Sequence, residues 1–371
     1  MALKNQIKPF FLRTFLPSCL IAFIVVFACS NFSCTSRVPS LSLLDGDFTV
    51  PSLEGIKQVS PARIELSFNK EVILTSVALS GEEEKQAINV LDEENEFSCI
   101  HHVILEKGTE LGSHYVLEGI VTDERKNTLT FEASFNGFND HPAKAILSEI
   151  RNAYNGKAMK SEFVELYVLE DGNLYGLSLI DGYDGTDKKY DFDSIEVRKG
   201  QYITVHYRKI KNEDGSYAEE GMADETEDSL ALSTATDSCD TALDLWLENN
   251  SAVLAPSDVL MLYDSNTDTV MDALEWVTTE KPGFSDRCSS VLEKVSKSGI
   301  WKGDAMNSDG MTTVNRSLSR QNVEGIIYDE DYSASAAEWI VACIKDRSKS
   351  STLVQGATPG KTNSRVAYTK D

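Results

Sequence analysis

The sequence predicts an all-β protein in which two antiparallel β-sandwiches follow one another behind a signal peptide and a short tether. Three observations support this fold class. Apolar and polar residues alternate in many short runs, as they do along a strand with one buried face. These runs recur roughly every ten residues and end at turn residues. The length of 371 residues and the apolar content of 41% fit two or three globular domains.

Residues 1–28 have the layout of a secretory signal peptide. Lys4, Lys8 and Arg13 form a basic start without acids, and the apolar run Leu20–Ala28 follows them. This run has about half of the roughly 20 residues that a membrane-spanning helix needs. It therefore does not predict a permanent transmembrane anchor.

The end of this segment, Val26-Phe27-Ala28-Cys29, resembles a bacterial lipobox of the relaxed kind tolerated in spirochaete-like lipoproteins. Val26 and Ala28 match the family pattern, whereas Phe27 is larger than usual for its position. The resemblance implies that the thiolate of Cys29 takes up a diacylglyceryl group and that acyl chains such as palmitate hold the protein at a membrane. An ordinary signal peptide with an incidental cysteine and an uncleaved anchor stay open as alternatives.

Charge excludes some classes of partner. Cleavage before Cys29 removes three basic residues and no acid, which changes the net charge from −24 to −27. Nucleic acids and anionic lipid surfaces both attract basic patches, so neither is expected to bind this chain electrostatically. The expected partners are the membrane, through the lipid on Cys29, and an unidentified protein.

Five cysteines remain after the lipobox: Cys34, Cys99, Cys239, Cys288 and Cys343. An odd number cannot pair completely, and the absence of a CxxC pair argues against a zinc or redox motif. Cys99 and Cys343 lie in apolar, strand-like contexts and are expected to be buried thiols. Cys239 and Cys288 lie in polar stretches, where a bridge between them is conceivable.

Residues 29–49 are Ser-rich and predict a tether, and residues 50–142 predict the first sandwich. Its strands are expected at Ala62–Phe68, Val72–Leu74, Val77–Leu79, His102–Leu105, Tyr115–Val121 and Thr128–Ala133. These strands and turns resemble the bacterial Ig-like domains of surface and S-layer proteins. The resemblance implies a spacer or stalk.

Four residues carry the Ig-like resemblance: Tyr115, Asp123, Asn127 and Leu129. Asp123 and Asn127 are expected to cap a turn through side-chain to backbone hydrogen bonds, with metal binding as the alternative.

Residues 143–364 predict the second sandwich, and residues 365–371 a C-terminal tail. Strands are expected in Ala145–Arg151, Glu162–Tyr167, Tyr202–Tyr207 and the hairpin Asp258–Val277. Together with the ending Ala357–Asn363 ("ATPGKTN"), these segments resemble the lamin-tail domain, an Ig-like sandwich. Gln321–Trp339 is expected to supply the strand region before the ending. Thr267 or Asp268 replaces the hairpin glycine of the family.

Two insertions interrupt this resemblance. Residues 209–252 are acidic and rich in Ser and Thr, and they are the expected contact surface for a partner. Residues 278–320 are polar, with helical turns expected at Ser289–Val295.

A catalytic arrangement is not recognisable in the sequence. His206 has no neighbouring nucleophile motif and is interpreted as structural. His101 and His102 are adjacent strand residues, so they point to opposite faces and are poorly placed for a shared metal. Asp181, Asp184 and Asp187 fall in one acidic loop that offers a weak calcium hypothesis, although their spacing differs from an EF-hand. No cofactor is therefore predicted.

The predicted function is that of a non-catalytic binding or structural lipoprotein of the bacterial cell envelope, with adhesion as one role. Its outer-membrane location can face the periplasm or the surface. The alternative is an accessory subunit of a secreted hydrolase or an envelope assembly. An enzyme with an unrecognised site in the insertions is a third, less favoured hypothesis.

Overall fold

The computed structural model describes residues 49–81, 90–92, 96–182, 189–212, 214–217, 221–226, 229–343, 345–346, 352–353 and 356–369. The predicted signal peptide, Cys29 and all of the tether except Thr49 lie outside these residues, as do Asp184 and Asp187. Pro51–Asp371 forms one compact unit. Among the described residues, no helix is long and apolar enough to cross a membrane.

The first part of this unit is a six-stranded antiparallel sheet. Its strands are β1 (Leu53–Ser60), β2 (Arg63–Gly81), β3 (Val90–Asp92), β4 (Ser98–Leu105), β5 (His114–Asp123) and β6 (Thr128–Asn136). Their order is β3-β4-β2-β5-β6, and β1 pairs with the beginning of β2. The strands expected from alternation are present, with longer bounds.

Strand β2 replaces three predicted strands with one bent strand of 19 residues. Its beginning pairs with β1 and β4, whereas the stretch Val72–Gly81 pairs with β5, and the register breaks at Leu74/Ser76. The rings of Phe68 on β2 and Phe131 on β6 meet at 5.7 Å. The sheet therefore folds over its long strand, and its two halves enclose one apolar core.

The second part is built around two facing sheets, to which three two-stranded sheets are added. Its strands are β7 (Lys144–Arg151), β8 (Phe163–Glu170), β9 (Gly172–Asn173), β10 (Leu177–Asp181), β11 (Tyr190–Asp191), β12 (Glu196–Val197), β13 (Tyr202–His206), β14 (Leu243–Trp246), β15 (Asp258–Asp264), β16 (Thr269–Val277), β17 (Trp301–Lys302), β18 (Met306–Asn307), β19 (Ser317–Arg320), β20 (Ala334–Ser335), β21 (Trp339–Ala342), β22 (Lys345–Asp346) and β23 (Thr352–Leu353). The larger sheet has the order β14-β13-β8-β7-β19-β21, and the facing sheet β11-β10-β15-β16-β18.

Strands β7 and β8 are buried on both faces, since almost every one of their residues is inaccessible to solvent. Their inner residues, such as Leu147 and Leu166, enter the main core. On the outer face, Ile146 and Tyr167 pack under Val323 in a smaller cluster. Covering both faces removes the apolar–polar alternation that a half-exposed strand shows.

The all-β class is confirmed. The Ig-like assignment of the two parts and the domain boundaries stay predictions.

The first insertion folds onto the body of the protein. Residues Leu243–Trp246 form β14, which pairs in parallel with β13. Ile210, Met222 and Trp246 are buried together in a satellite cluster. Ala231 and Leu232 of this insertion are exposed, Leu232 at 56%.

The second insertion contains the expected helix, α1 (Ser289–Ser298), whose Val291 and Val295 enter the main core. It ends at Gly299, which takes a left-handed conformation (φ 69°) that costs glycine little.

The prediction that Gln321–Trp339 supplies a strand region holds only at Ala334–Ser335 and from Trp339 onward. A short 3₁₀ helix at Val323–Gly325 and irregular chain follow β19, and strand structure returns at β20 and β21. The tyrosines and Val323 of this segment cover the outer face of the larger sheet, which explains its apolar residues.

The cysteine predictions are partly wrong. Cys99 is exposed, whereas Cys239, Cys288 and Cys343 are buried, and no two of these four described cysteines form a disulfide. No Cys239–Cys288 bridge exists. Cys99 lies at the register shift between β4 and β2, near the bend of β2. Ile100 pairs with Ser67 and Ser98 pairs with Val72, whereas Cys99 between them has no partner residue on β2, which explains its exposure.

Candidate functional site

A row of polar side chains crosses the outer face of the larger sheet and is the most unusual feature of the described chain. Cross-strand register places Asp244, Thr204, Glu165, Glu149 and Ser319 side by side on five neighbouring strands. All five are at most 1% exposed. Buried carboxylates are costly unless hydrogen bonds compensate for lost water, so the row needs dedicated donors.

The segment Ala357–Asn363, here called the closing segment, supplies several of these donors. The amide of Thr358 donates to Glu149 Oε2 at 2.8 Å, and the amide of Gly360 donates to Glu165 Oε2 at 2.5 Å. Asn363 Nδ2 donates to the carbonyls of Ser148 and Arg320, each at 2.9 Å. The segment is therefore bound to β7, β8 and β19 through buried polar contacts.

Hydroxyl groups complete the shell around the two glutamates. Ser319 Oγ donates to Glu149 Oε1 at 2.9 Å, and Ser317 Oγ donates to the same oxygen. Ser148 Oγ lies 2.7 Å from Glu165 Oε1. Glu149 thus has more donors than Glu165.

Burial raises the pKa of both glutamates. For Glu149, loss of water outweighs the hydrogen bonds from Ser317 and Thr358, which favour the charged form. The pKa of Glu165 is raised further, by burial first and then by the negative charge of Glu149 directly opposite.

His206 on β13 is paired with Trp246 on β14, two residues beyond the Thr204–Asp244 pair of the polar row. Its Nε2 lies 2.6 Å from Asp244 Oδ1, and its ring stacks on Trp246 at 4.1 Å. Glu225 secures the same strand by accepting from the amide of Asp244 at 2.9 Å. The structural interpretation of His206 agrees with these contacts, which tie β14 and the first insertion to β13.

A second buried network joins the two sheets. Asp272, in the predicted hairpin, accepts from the amide of Leu147 and from Arg320 Nη1, each at 2.7 Å, and from Tyr332 Oη at 2.8 Å. Arg320 also donates to Glu338. Burial raises the pKa of Asp272 even though the charge of Arg320 lowers it.

Comparison with known proteins places this region in a family. A family model described as "TP_1001_2nd: protein second domain" matches residues 143–341, more than half of the chain. The chain belongs to this family. Glu149, Glu165, Asp272 and Arg320 lie within the TP_1001_2nd region, whereas the closing segment lies beyond it.

A curated relative adds sequence similarity without a function. It is an "Uncharacterized protein" of Treponema pallidum (strain Nichols), 31% identical over 170 residues. The match covers 46% of this chain and 40% of the relative, so it spans two fifths of the relative's length.

Two solved structures show weak similarity. A DUF4876 family protein from Bacteroides thetaiotaomicron is 13% identical, with 80% of this chain and 96% of that chain covered and a TM-score of 0.30. The S-layer protein SbsC is 11% identical, with 58% and 39% covered and a TM-score of 0.22. At such TM-scores the likeness says nothing about function.

The acidic loop is only partly described. Asp181 ends β10 and is 1% exposed, whereas Asp184 and Asp187 lie outside the described residues. In the described ranges, no group of three or more His, Cys, Asp or Glu side chains is arranged to hold a metal ion. His101 is buried against the carbonyl of Val72, and His102 lies beside Glu65, so the two histidines do point apart.

The turn after β5 has the geometry expected from the sequence. Asp123 Oδ1 accepts from the amides of Arg125 and Asn127 at 2.9 and 2.8 Å, and Lys70 Nζ lies 3.1 Å from Oδ2. The hydrogen bond from the Asn127 side chain lowers the pKa of Asp123 to about 2, with further help from Lys70. The capping prediction is confirmed.

An open groove of about 820 Å³ lies between the outermost strands of the two sheets, β18 and β21. Its lining includes Thr279, Asn307, Trp339 and Tyr368. It is separate from the polar row, which the closing segment covers.

Sequence reasoning found the segments of this site but missed most of its residues. It named the stretches containing Glu149 and Glu165 and the closing segment, but it assigned no role to Glu149, Glu165, Asp244 or Arg320. A usable signal was present, because Ser148-Glu149 interrupts an otherwise apolar strand and a charge there must find buried partners.

Proposed function

We propose that this chain is a non-catalytic structural module of the bacterial cell envelope, anchored by lipid on Cys29. The observation that carries the proposal is the use made of its buried charged groups. Glu149, Glu165 and Asp272 accept hydrogen bonds from backbone amides of distant segments. Buried carboxylates that bind backbone amides hold loops on the sheets, and a substrate cannot reach them.

The same contacts support the lamin-tail resemblance. The motif Glu162–Tyr167 contributes Glu165, which binds the ATPG turn of the closing segment. The hairpin contributes Asp272, which binds β7. The hairpin turn places Asp268 in a left-handed conformation (φ 55°), the position where the family has glycine. The motifs thus contact one another, as parts of one domain signature should.

Lipidation gives the sharpest test of the anchor. Cells expressing the full-length chain are labelled with palmitate, and incorporation is compared among wild type, Cys29→Ser and Cys34→Ser. Cys34 lies five residues further on and is the matched control. We expect label in wild type and Cys34→Ser and none in Cys29→Ser.

Label retained in Cys29→Ser would contradict the anchor, and so would wild type without label. A processed but unlabelled chain would indicate an ordinary signal peptide. An unprocessed chain would indicate an uncleaved anchor.

The face of the membrane is a separate question, and protease treatment of intact cells answers it. A known periplasmic protein serves as control. Cleavage while the control survives means a surface location, for which adhesion becomes the working role. Protection until the outer membrane is opened means a periplasmic, structural role.

The groove between β18 and β21 favours a second function, that of an accessory subunit. A partner such as a secreted hydrolase would bind there, because the groove is open and its lining mixes aromatic and polar residues. Asn307→Arg would fill the groove, and the exposed Asn250→Arg is the control. Recovery of a hydrolase with wild type and Asn250→Arg, but not with Asn307→Arg, would support this function. Equal recovery with all three would exclude the groove.

A further inference from the structure

We propose that Glu149 and Glu165 hold one proton between them near neutral pH and form a pH-dependent clamp on the closing segment. While the proton is present, the segment stays closed over the sheet. Loss of the proton at alkaline pH favours opening. This device is independent of the lipid anchor.

The geometry of the pair comes first. Glu149 and Glu165 are directly opposed on neighbouring antiparallel strands, and both are fully buried. Like charges directly opposite each other destabilise a sheet, and without water between them the repulsion is strong. One proton removes that repulsion.

The surrounding charges relieve the pair only in part. Arg151, on β7, lowers the pKa of Glu149 through its charge, but it donates its hydrogen bonds to Asp237 and to backbone carbonyls. Arg320, on β19, is paired with Asp272 and Glu338. The other titratable neighbours are Tyr202 and His206 on β13, Asp244 on β14 and Glu225 of the first insertion. Cys239 packs against Gly360 of the closing segment, and Glu324 accepts from Thr362. Asp244 adds a third acid to the row and is held by His206. The closing segment contributes Lys361, whose side chain is exposed.

The donors assign different states to the two acids. Glu149 accepts hydrogen bonds from the hydroxyls of Ser317 and Ser319 and from both the amide and the hydroxyl of Thr358, which suits a charged carboxylate. Glu165 has the Gly360 amide on one oxygen and only Ser148 Oγ at the other. A hydroxyl can accept as well as donate, so the proton sits best on the Glu165 oxygen that faces Ser148.

Opening of the closing segment would hydrate both acids and return them to ordinary pKa values. Because the pKa values are raised in the closed state, closure binds a proton. Closure is therefore fully favoured below the ordinary glutamate pKa and weakens as pH rises through the raised values. One proton released on opening changes the opening equilibrium by up to tenfold per pH unit.

Hydrogen exchange of the full chain tests the clamp through the donating amides themselves. Protection of the Thr358 and Gly360 amides is measured between about pH 5 and 9 and corrected for the intrinsic exchange rate. We expect protection in wild type to fall by up to tenfold per pH unit as pH rises above the ordinary glutamate pKa, and to level off once pH exceeds the raised pKa values of the closed state. Glu165→Gln, which is uncharged at every pH, should make protection nearly independent of pH.

Glu162→Gln is the matched control. Glu162 is another fully buried glutamate near β8 that accepts from backbone amides, those of Val253 and Leu254. It should keep the wild-type pH dependence in the closing segment.

Three results would overturn the clamp. Wild-type protection that does not change with pH would do so, and so would an unchanged slope in Glu165→Gln. A loss of protection of equal size in β15 and β16 would show global unfolding instead of local opening.

If Glu165→Gln does not fold, infrared spectroscopy of wild type gives an independent answer. A protonated carboxyl stretch that persists at neutral pH and disappears where the rise in exchange levels off supports the proposal, and its absence at neutral pH overturns it.

Discussion

The sheet of β1–β6 and the sandwich of β7–β21 place their charged residues in different ways. In the first region, Glu65 lies on the outer face of its strand beside His102 and remains partly exposed. In the second, Glu149 and Glu165 are on the outer face of a sheet and yet are fully buried. The difference arises because the insertions and the closing segment cover the outer face of the larger sheet in the second region.

This contrast shows what the covering segments require. An irregular segment that lies on a sheet brings unpaired backbone amides with it, and buried amides must find acceptors. Glu149 and Glu165 on the sheet provide them for the closing segment, whereas Glu225 in the first insertion accepts from its own loop and from the strand amide of Asp244. Among the described residues of the first region there is little irregular cover, and Asp123 serves a turn at the edge.

The largest loss of stability is expected when the network that joins the two sheets is broken. Arg320→Leu leaves Asp272 buried without its cation, and losing one partner of a buried ion pair costs about 3–5 kcal/mol. Lys144→Ala is the control, because its ion pair with Glu170 is exposed and contributes at most about 1 kcal/mol. Chemical denaturation gives both changes in the free energy of unfolding. Similar small losses for the two variants would mean that the buried network contributes little.

A pair of core substitutions sharpens the comparison between the regions. Leu66 and Leu166 are both fully buried, but they belong to separate cores. Each Leu→Ala change should cost about 2–5 kcal/mol through lost burial and a cavity. Hydrogen exchange should show the loss for Leu66→Ala in β2, β4 and β5, and the loss for Leu166→Ala in β7, β8 and β13. Equal losses in both regions for either variant would mean that the two parts unfold as one.

The same contrast explains how far the sequence could predict the structure. In the first region, alternation found the strands because one face of each is exposed. Alternation predicted three strands where β2 is a single one, because a bend and a register break interrupt the apolar–polar pattern in the same way as turns do. In the second region, the motif Glu162–Tyr167 and the hairpin were found by resemblance, because double-sided burial hides alternation.

The candidate site was less predictable for a physical reason. The register of the strands decides which carboxylates lie opposite each other. Strand β7 contains a bulge at Leu147/Glu149, and the sequence carries no signal that predicts it. The covering segments also bind through backbone amides, which every residue has. The role of residues 209–252 as a contact surface stays a prediction, but part of the insertion turns inward, where Glu225 accepts from backbone amides.

The smallest expected effect concerns the turn carboxylate of the first region, and its pH dependence should have the opposite sign to that of the buried pair. The pKa of Asp123 is lowered to about 2, so its contribution to stability is present above the ordinary value of 3.8 and is lost as pH falls toward 2. Asp123→Asn should therefore flatten the stability profile between about pH 4 and pH 2 and leave the alkaline side unchanged. A carboxyl-carbon NMR titration should give a midpoint near 2 for this residue. A midpoint at the ordinary value would mean that the hydrogen bonds from Asn127 and Lys70 do not favour the charged form, and the contrast between the turn acid and the buried sheet acids would then rest on the second region alone.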